Sequence, residues 1–177
     1  VHENFDIIHI DPWKKFPEFD DALKETAHLI NKFSQKQDKI CFEVGTEESI
    51  KGYGSRKFEE FLNKLRVEIK ENFAKVKYGV IQSGTKLEMN SNIGVLDIKK
   101  SIEFIKVCKK FNIDSKEHNG DYLPTHEIKK RFELGLSAIN IAPEFGFIET
   151  KCILEEIEKV SDKVLYNQLF EICYESK

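Results

Sequence analysis

The sequence predicts an α/β fold with a parallel sheet. Two observations carry that prediction. Short apolar runs alternate strictly with longer amphipathic runs of helical period, five times over. Each apolar run also ends in a polar cluster, as strands do when they deliver side chains to a shared rim.

The elements follow in order. FDIIHID (5–11) reads as a strand, followed by a Pro-punctuated loop and a helix carrying Leu23, Ala27, Ile30 and Phe33. KICFEV (39–44) is the second strand; past GTEESIKGYGS, residues Phe58, Phe61, Leu62, Leu65 and Ile69 trace the stripe of a long helix. VKYGVIQ (76–82) is the third, with a polar loop through Asn92 and a helix bearing Ile98, Ile102, Ile105 and Cys108. FNIDSKEH (111–118) is the fourth; its helix starts near Thr125, just after Pro124, with Ile128 and Phe132 facing inward. LSAINIAP (136–143) is the fifth, followed by a helix through Cys152, Ile153, Ile157 and Val160, and a last helix spans about 163–174.

No linker or composition break interrupts the 177 residues, so residues 1–177 read as one domain. Two architectures fit: a complete five-stranded flavodoxin-like sheet, or five consecutive units of a (β/α)8 barrel. Strand parity favours the barrel. An open sheet covered on both faces has nearly all-apolar strands. Here Glu43 shares a face with Cys41, Gln82 with Val80 and Tyr78, and Asp114, Lys116 and His118 share another. A barrel turns such a face toward its axis. The chain, which opens on VHENFDIIHID without Met, then supplies strands four to eight, and the missing N-terminal units are its first expected partner. Half a ring leaves open sheet edges, so the piece is expected to need those units or another chain for stability.

Composition excludes several classes. Net charge is −3, with 28 basic residues interspersed among 31 acidic ones, so no nucleic-acid surface is indicated. No apolar run reaches membrane-spanning length. Cys41, Cys108, Cys152 and Cys173 form no CxxC pair and read as reduced, mostly buried thiols of a cytoplasmic protein.

The strand ends supply the candidate site: HIDP (9–12), FEVGTEE (42–48), VIQSGT (80–85), KEHNGD (116–121) and NIAPE (140–144). Asp11, Glu43, Lys116, His118 and Asp121 are the catalytic candidates. Carboxylates grip vicinal hydroxyls or move a proton, and a lysine among acids binds oxyanions rather than forming a Schiff base. Gln82, Ser83, Thr85, Asn92, Asn119, Asn140 and Glu144 are candidates for substrate binding. Each has a plainer reading: an Asn119-Gly120 turn with Asp121 bracing it, a Glu43–Lys116 ion pair, a helix-start charge at Glu144. His28, His126 and Trp13 read as surface or packing residues, and His2 and His9 carry no assignment.

The order HIDP, EVGTE, QSGT, EHNGDYL, NIAP resembles the C-terminal part of the D-tagatose-bisphosphate aldolase class II non-catalytic subunit family, over nearly the whole chain. That resemblance implies a (β/α)8 barrel related to the zinc-dependent class II aldolases, and a sugar or sugar phosphate as ligand. It implies retro-aldol or epimerase chemistry at the rim, or a non-catalytic role stabilising a separate aldolase subunit or a homo-oligomer. It makes Glu43 and His118 candidate zinc ligands. The family's Asp-His pair at the end of its third strand has no counterpart in these residues, and Gln82 and Ser83 stand where the related aldolases use a further histidine.

Overall fold

The structure is a computed structural model, and it describes residues 5–36, 38–46 and 52–175. His2 and the Glu47-Glu48 end of the second strand cluster lie outside the described residues. The chain comprises two compact units, Val1–Asn140 and Ile141–Lys177.

In the first unit the elements run β1 (Ile7–Ile10), α1 (Phe19–Ser34), β2 (Cys41–Gly45), α2 (Ser55–Ile69), a 3-10 segment (Lys70–Lys75) and β3 (Val76–Ile81). A short antiparallel ribbon follows, β4 (Leu87–Glu88) with β5 (Ser91–Asn92), then α3 (Ile98–Lys110), β6 (Asp114–Glu117), α4 (Thr125–Glu133) and β7 (Ala138–Ile139). The main sheet is parallel, with order β1-β2-β3-β6-β7. That is plain chain order. A flavodoxin-like sheet reverses direction at its first strand, so this order rejects the flavodoxin-like alternative. Each predicted strand is present, shortened at its ends.

The core lies between sheet and helices. Ile10, Phe42, Val44 and Ile81 point to the helix side and meet the stripes of α1, α2 and α3, among them Leu23, Ile30, Phe58, Leu62, Phe104 and Ile105, all buried. Trp13 is a packing residue as expected, set edge-on against Tyr53 and Phe19. Gly79 makes the closest approach: a Cβ there would lie 2.8 Å from the Phe58 ring and 2.9 Å from Cys108 Sγ. Gly79→Ala is therefore expected to lower stability by about 1–3 kcal/mol through overpacking, read from urea unfolding.

Three local expectations are corrected. Phe132 is 43% exposed, and Arg131 takes the inward position on α4 because a buried acid, Glu117, receives it. The polar loop after β3 is partly the ribbon β4–β5. Of the four cysteines, Cys108 is buried, Cys41 half-buried, and Cys152 and Cys173 exposed, so only half of the expected burial is seen.

The second unit is a pair of packed helices, α5 (Pro143–Lys159) and α6 (Lys163–Glu175). Ile157 is buried, whereas Ile153 and Val160 are exposed. Pro143 opens α5, where its missing N–H costs nothing. Among the described residues no helix is long and apolar enough to cross a membrane.

Candidate functional site

The strand register builds the site. His9 pairs with Glu43, Glu43 with Tyr78, and Val80 with Lys116. Residues two apart share a face, so His9, Glu43, Tyr78, Lys116 and His118 share the face away from the helices. In a barrel that face is the interior.

Glu43 is the hub. One carboxylate oxygen, Oε1, accepts from the Lys116 ammonium, and Oε2 lies 3.1 Å from His118 Nε2. All three groups are sheltered, with side-chain exposures of 6%, 13% and 9% for Glu43, Lys116 and His118. Burial pushes the Glu43 pKa up, but hydrogen bonds from His118 and Lys116 more than offset it, so the carboxyl sits below its ordinary value. The Lys116 ammonium also lies 5.1 Å from the centre of the Tyr78 ring.

His9 joins this group unforeseen. Its ring packs edge-on to His118 with centroids 4.5 Å apart, and its Nε2 is 3.4 Å from the Gly45 carbonyl. The signal was its parity with Asp11 at a strand end. Burial and then His118 push its pKa down, while Asp11 and Glu43 pull the other way. The unfolded chain thus takes up this proton first as pH falls. The contribution of His9 to stability is present above pH 6.5 and lost as pH drops below 6.5 toward the folded value. Unfolding across that range should show a slope that His9→Gln reduces.

The remaining candidates separate by position. Asp11 Oδ1 accepts from the Trp13 N–H at 3.2 Å, which braces the turn after β1. Gln82 donates to the Thr46 carbonyl at 3.4 Å. Ser83 is buried on the helix side near Glu117 rather than beside Gln82. Thr85 Oγ donates to the His118 carbonyl at 2.8 Å. Asn92 bonds backbone on all sides, including the carbonyls of Asn119 and Asp121. Asp121 is buried. The Asn119-Gly120 turn forms as read, with Asn119 at φ 59° and the Gly120 N–H donating to the Asn140 carbonyl. Glu144 lies in the first turn of α5, in the second unit. His28 and His126 are exposed.

Sequence reasoning also missed Glu117 and Arg131. They form an ion pair at 2.9 Å, with side chains 1% and 2% exposed, that ties α4 to β6 directly behind Lys116 and His118.

Zinc needs about three protein ligands and an open position at a catalytic site. Glu43 and His118 are adjacent, but the Lys116 ammonium already holds the carboxylate. Among the described residues no three His, Cys, Asp or Glu side chains are grouped to hold a metal ion. Zinc at Glu43 and His118 would take a further ligand from outside these residues and release of the Lys116 ammonium from the carboxylate.

No family model and no curated protein matches the chain. Solved structures do. The YdjI aldolase from Escherichia coli K12 aligns with a TM-score of 0.64 and 12% identity, over 94% of this chain and 55% of its own. A probable tagatose 6 phosphate kinase from Sinorhizobium meliloti 1021 aligns with a TM-score of 0.63 and 16% identity, over 79% and 37%. The fructuronate-tagaturonate epimerase UxaE from Cohnella laeviribosi aligns with a TM-score of 0.55 and 13% identity, over 86% and 31%. The chain spans from about a third to just over half the length of these proteins. At such identities the likeness shows the fold, an α/β arrangement of the aldolase-barrel type that this chain covers in part.

Proposed function

We propose that the chain forms part of a sugar-processing barrel that binds a ketose or ketose phosphate at its rim and moves protons next to the carbonyl. The observation that carries this reading is the convergence of Glu43, Lys116 and His118 on the inner face. The fold likeness to an aldolase and an epimerase is in keeping with it.

The three groups divide the work that retro-aldol cleavage and epimerisation share. Lys116, a compact cation, holds the oxygen on which negative charge develops. Glu43, an ionised carboxylate, takes the hydroxyl or α-carbon proton, and His118 on its other oxygen relays that proton. Burial of the set strengthens each interaction by excluding water. Asp121 and Asn140, beside the same turn, receive sugar hydroxyls in this reading, and the protein acts in the cytoplasm.

The test is turnover by the intact protein with a panel of ketose phosphates and hexuronates, alongside metal analysis. Turnover by the protein alone, lost in Glu43→Ala and His118→Ala with helicity retained, is the expected result. Stoichiometric metal retained by the wild type and lost in both variants would instead place zinc on Glu43 and His118. A second reading, a non-catalytic subunit that stabilises a separate aldolase, draws on one observation: the Lys116 ammonium already engages the Glu43 carboxylate as an ion pair. It predicts turnover only when an aldolase subunit is added.

A further inference from the structure

A carboxamide from outside binds the turn that carries His118 and Asp121 at two points. Asn92, at the end of the β4–β5 ribbon, donates through Nδ2 to the Asn119 carbonyl at 2.8 Å and to the Asp121 carbonyl at 2.9 Å. Its Oδ1 accepts from the Lys86 and Gly94 N–H groups, each at 3.2 Å. Both amide protons and the carbonyl are therefore engaged by backbone, which leaves the group little capacity to hold a ligand. Thr85, in the same loop, donates to the His118 carbonyl at 2.8 Å.

The held segment needs holding. Asn119 and Tyr122 both lie in the left-handed region, at φ 59° each; asparagine takes it readily, but for a bulky tyrosine it is uncommon and is kept by its surroundings. The holding loop is itself closely packed. Gly94 approaches Gly84 so nearly that a Cβ would lie 2.0 Å from the Gly84 carbonyl oxygen. A compact loop after β3 thus grips three carbonyls of the β6–α4 turn, those of His118, Asn119 and Asp121.

We propose that Asn92 is a positioning residue: by clamping the 119–121 backbone it fixes where His118 meets Glu43 and where Asp121 sits. This deepens the proposed function, because it makes the β3 loop a determinant of the same site. The clamp itself is a structural claim that stands or falls without turnover.

Asn92→Asp separates the two halves of the carboxamide. It keeps the acceptor for Lys86 and Gly94 but removes both donors and sets a carboxylate against two carbonyls. In the intact protein, hydrogen exchange at residues 119–122 should accelerate at least about tenfold, while exchange at Gly94 stays near wild type. Long-range imidazole spectra should show the His118 Nε2 signal shifted from its Glu43-bonded position, which a mere loss of global stability does not produce. Where turnover exists, kcat should fall more than KM rises. Thr85→Val, which retains the β-branched shape, should give a weaker version and serves if the Asp variant does not fold. Unchanged 119–122 exchange and an unchanged His118 signal in the folded variants overturn the clamp. A shifted His118 signal in a protein without turnover upholds the clamp and counts against the proposed function instead.

Discussion

Glu43→Gln should abolish most of any turnover while costing the fold substantially. The carboxylate holds Lys116 and His118 together, with one oxygen for each. The amide can still face both groups, but it no longer balances the ammonium. Removing one member of a buried ion pair costs on the order of 3–5 kcal/mol, since the remaining charge is left uncompensated. Lys116 retains some exposure and the Tyr78 ring face, so the lower end applies. A general base of this kind contributes roughly 10²–10⁴-fold in rate. Chemical denaturation checks the first figure and a ketose-phosphate assay the second. Its pH behaviour has a definite sign. With the Glu43 pKa held below 4.5, its stabilisation is complete above pH 4.5 and is lost as pH falls through the folded value. Glu43→Gln should flatten that acid limb.

Glu117→Leu should be comparably damaging to stability, although it touches no ligand. Glu117 and Arg131 are both buried, and Arg131 also bonds the Glu127 side chain and carbonyl on its own helix. The single substitution leaves the buried guanidinium with Glu127 as its remaining charge partner and should cost about 3 kcal/mol, the low end for breaking a buried pair. Burial holds the Glu117 pKa above its ordinary value, opposed by the Ser83 hydroxyl and the Arg131 charge, so this is a costly place for a carboxylate. Replacing both members, Glu117→Leu with Arg131→Met, should recover most of the loss, because a packed apolar pair carries no desolvation penalty. A double-mutant cycle on urea midpoints measures the coupling. Additive losses would contradict the pairing.

Much of the site was legible from parity. Glu43, Lys116 and His118 announced themselves as polar residues on one parity of their strands, which puts them on one face. Their contact across β3 depends on the strand order. Glu117 escaped because DSKE is polar at both parities, so the helix-facing acid looked like one more rim residue. Arg131 escaped for the complementary reason. A helix stripe is read by apolar residues, and Ile128 and Phe132 completed one, yet Phe132 is exposed. An arginine facing inward is visible only once its acid is located. The role of Asn92 lay beyond any local pattern: its partners are 27 and 29 residues away, and only the folded ribbon brings them within reach. His9 shares parity with Asp11, but that pair alone names no face, and only its register against Glu43 in the sheet puts it in the group.

The central claim is that the Glu43–Lys116–His118 set moves protons beside a ketose carbonyl. Deuterium wash-in tests it most directly, because epimerisation and the protonation step of retro-aldol cleavage both exchange carbon-bound hydrogen with solvent. The intact protein, incubated with ketose phosphates or hexuronates in D2O and followed by NMR, should incorporate deuterium at the carbon adjacent to the carbonyl. Incorporation should be lost in Glu43→Gln and His118→Gln. No incorporation by the folded wild-type protein, alone or with an added aldolase subunit, or equal incorporation by folded variants, would contradict the account.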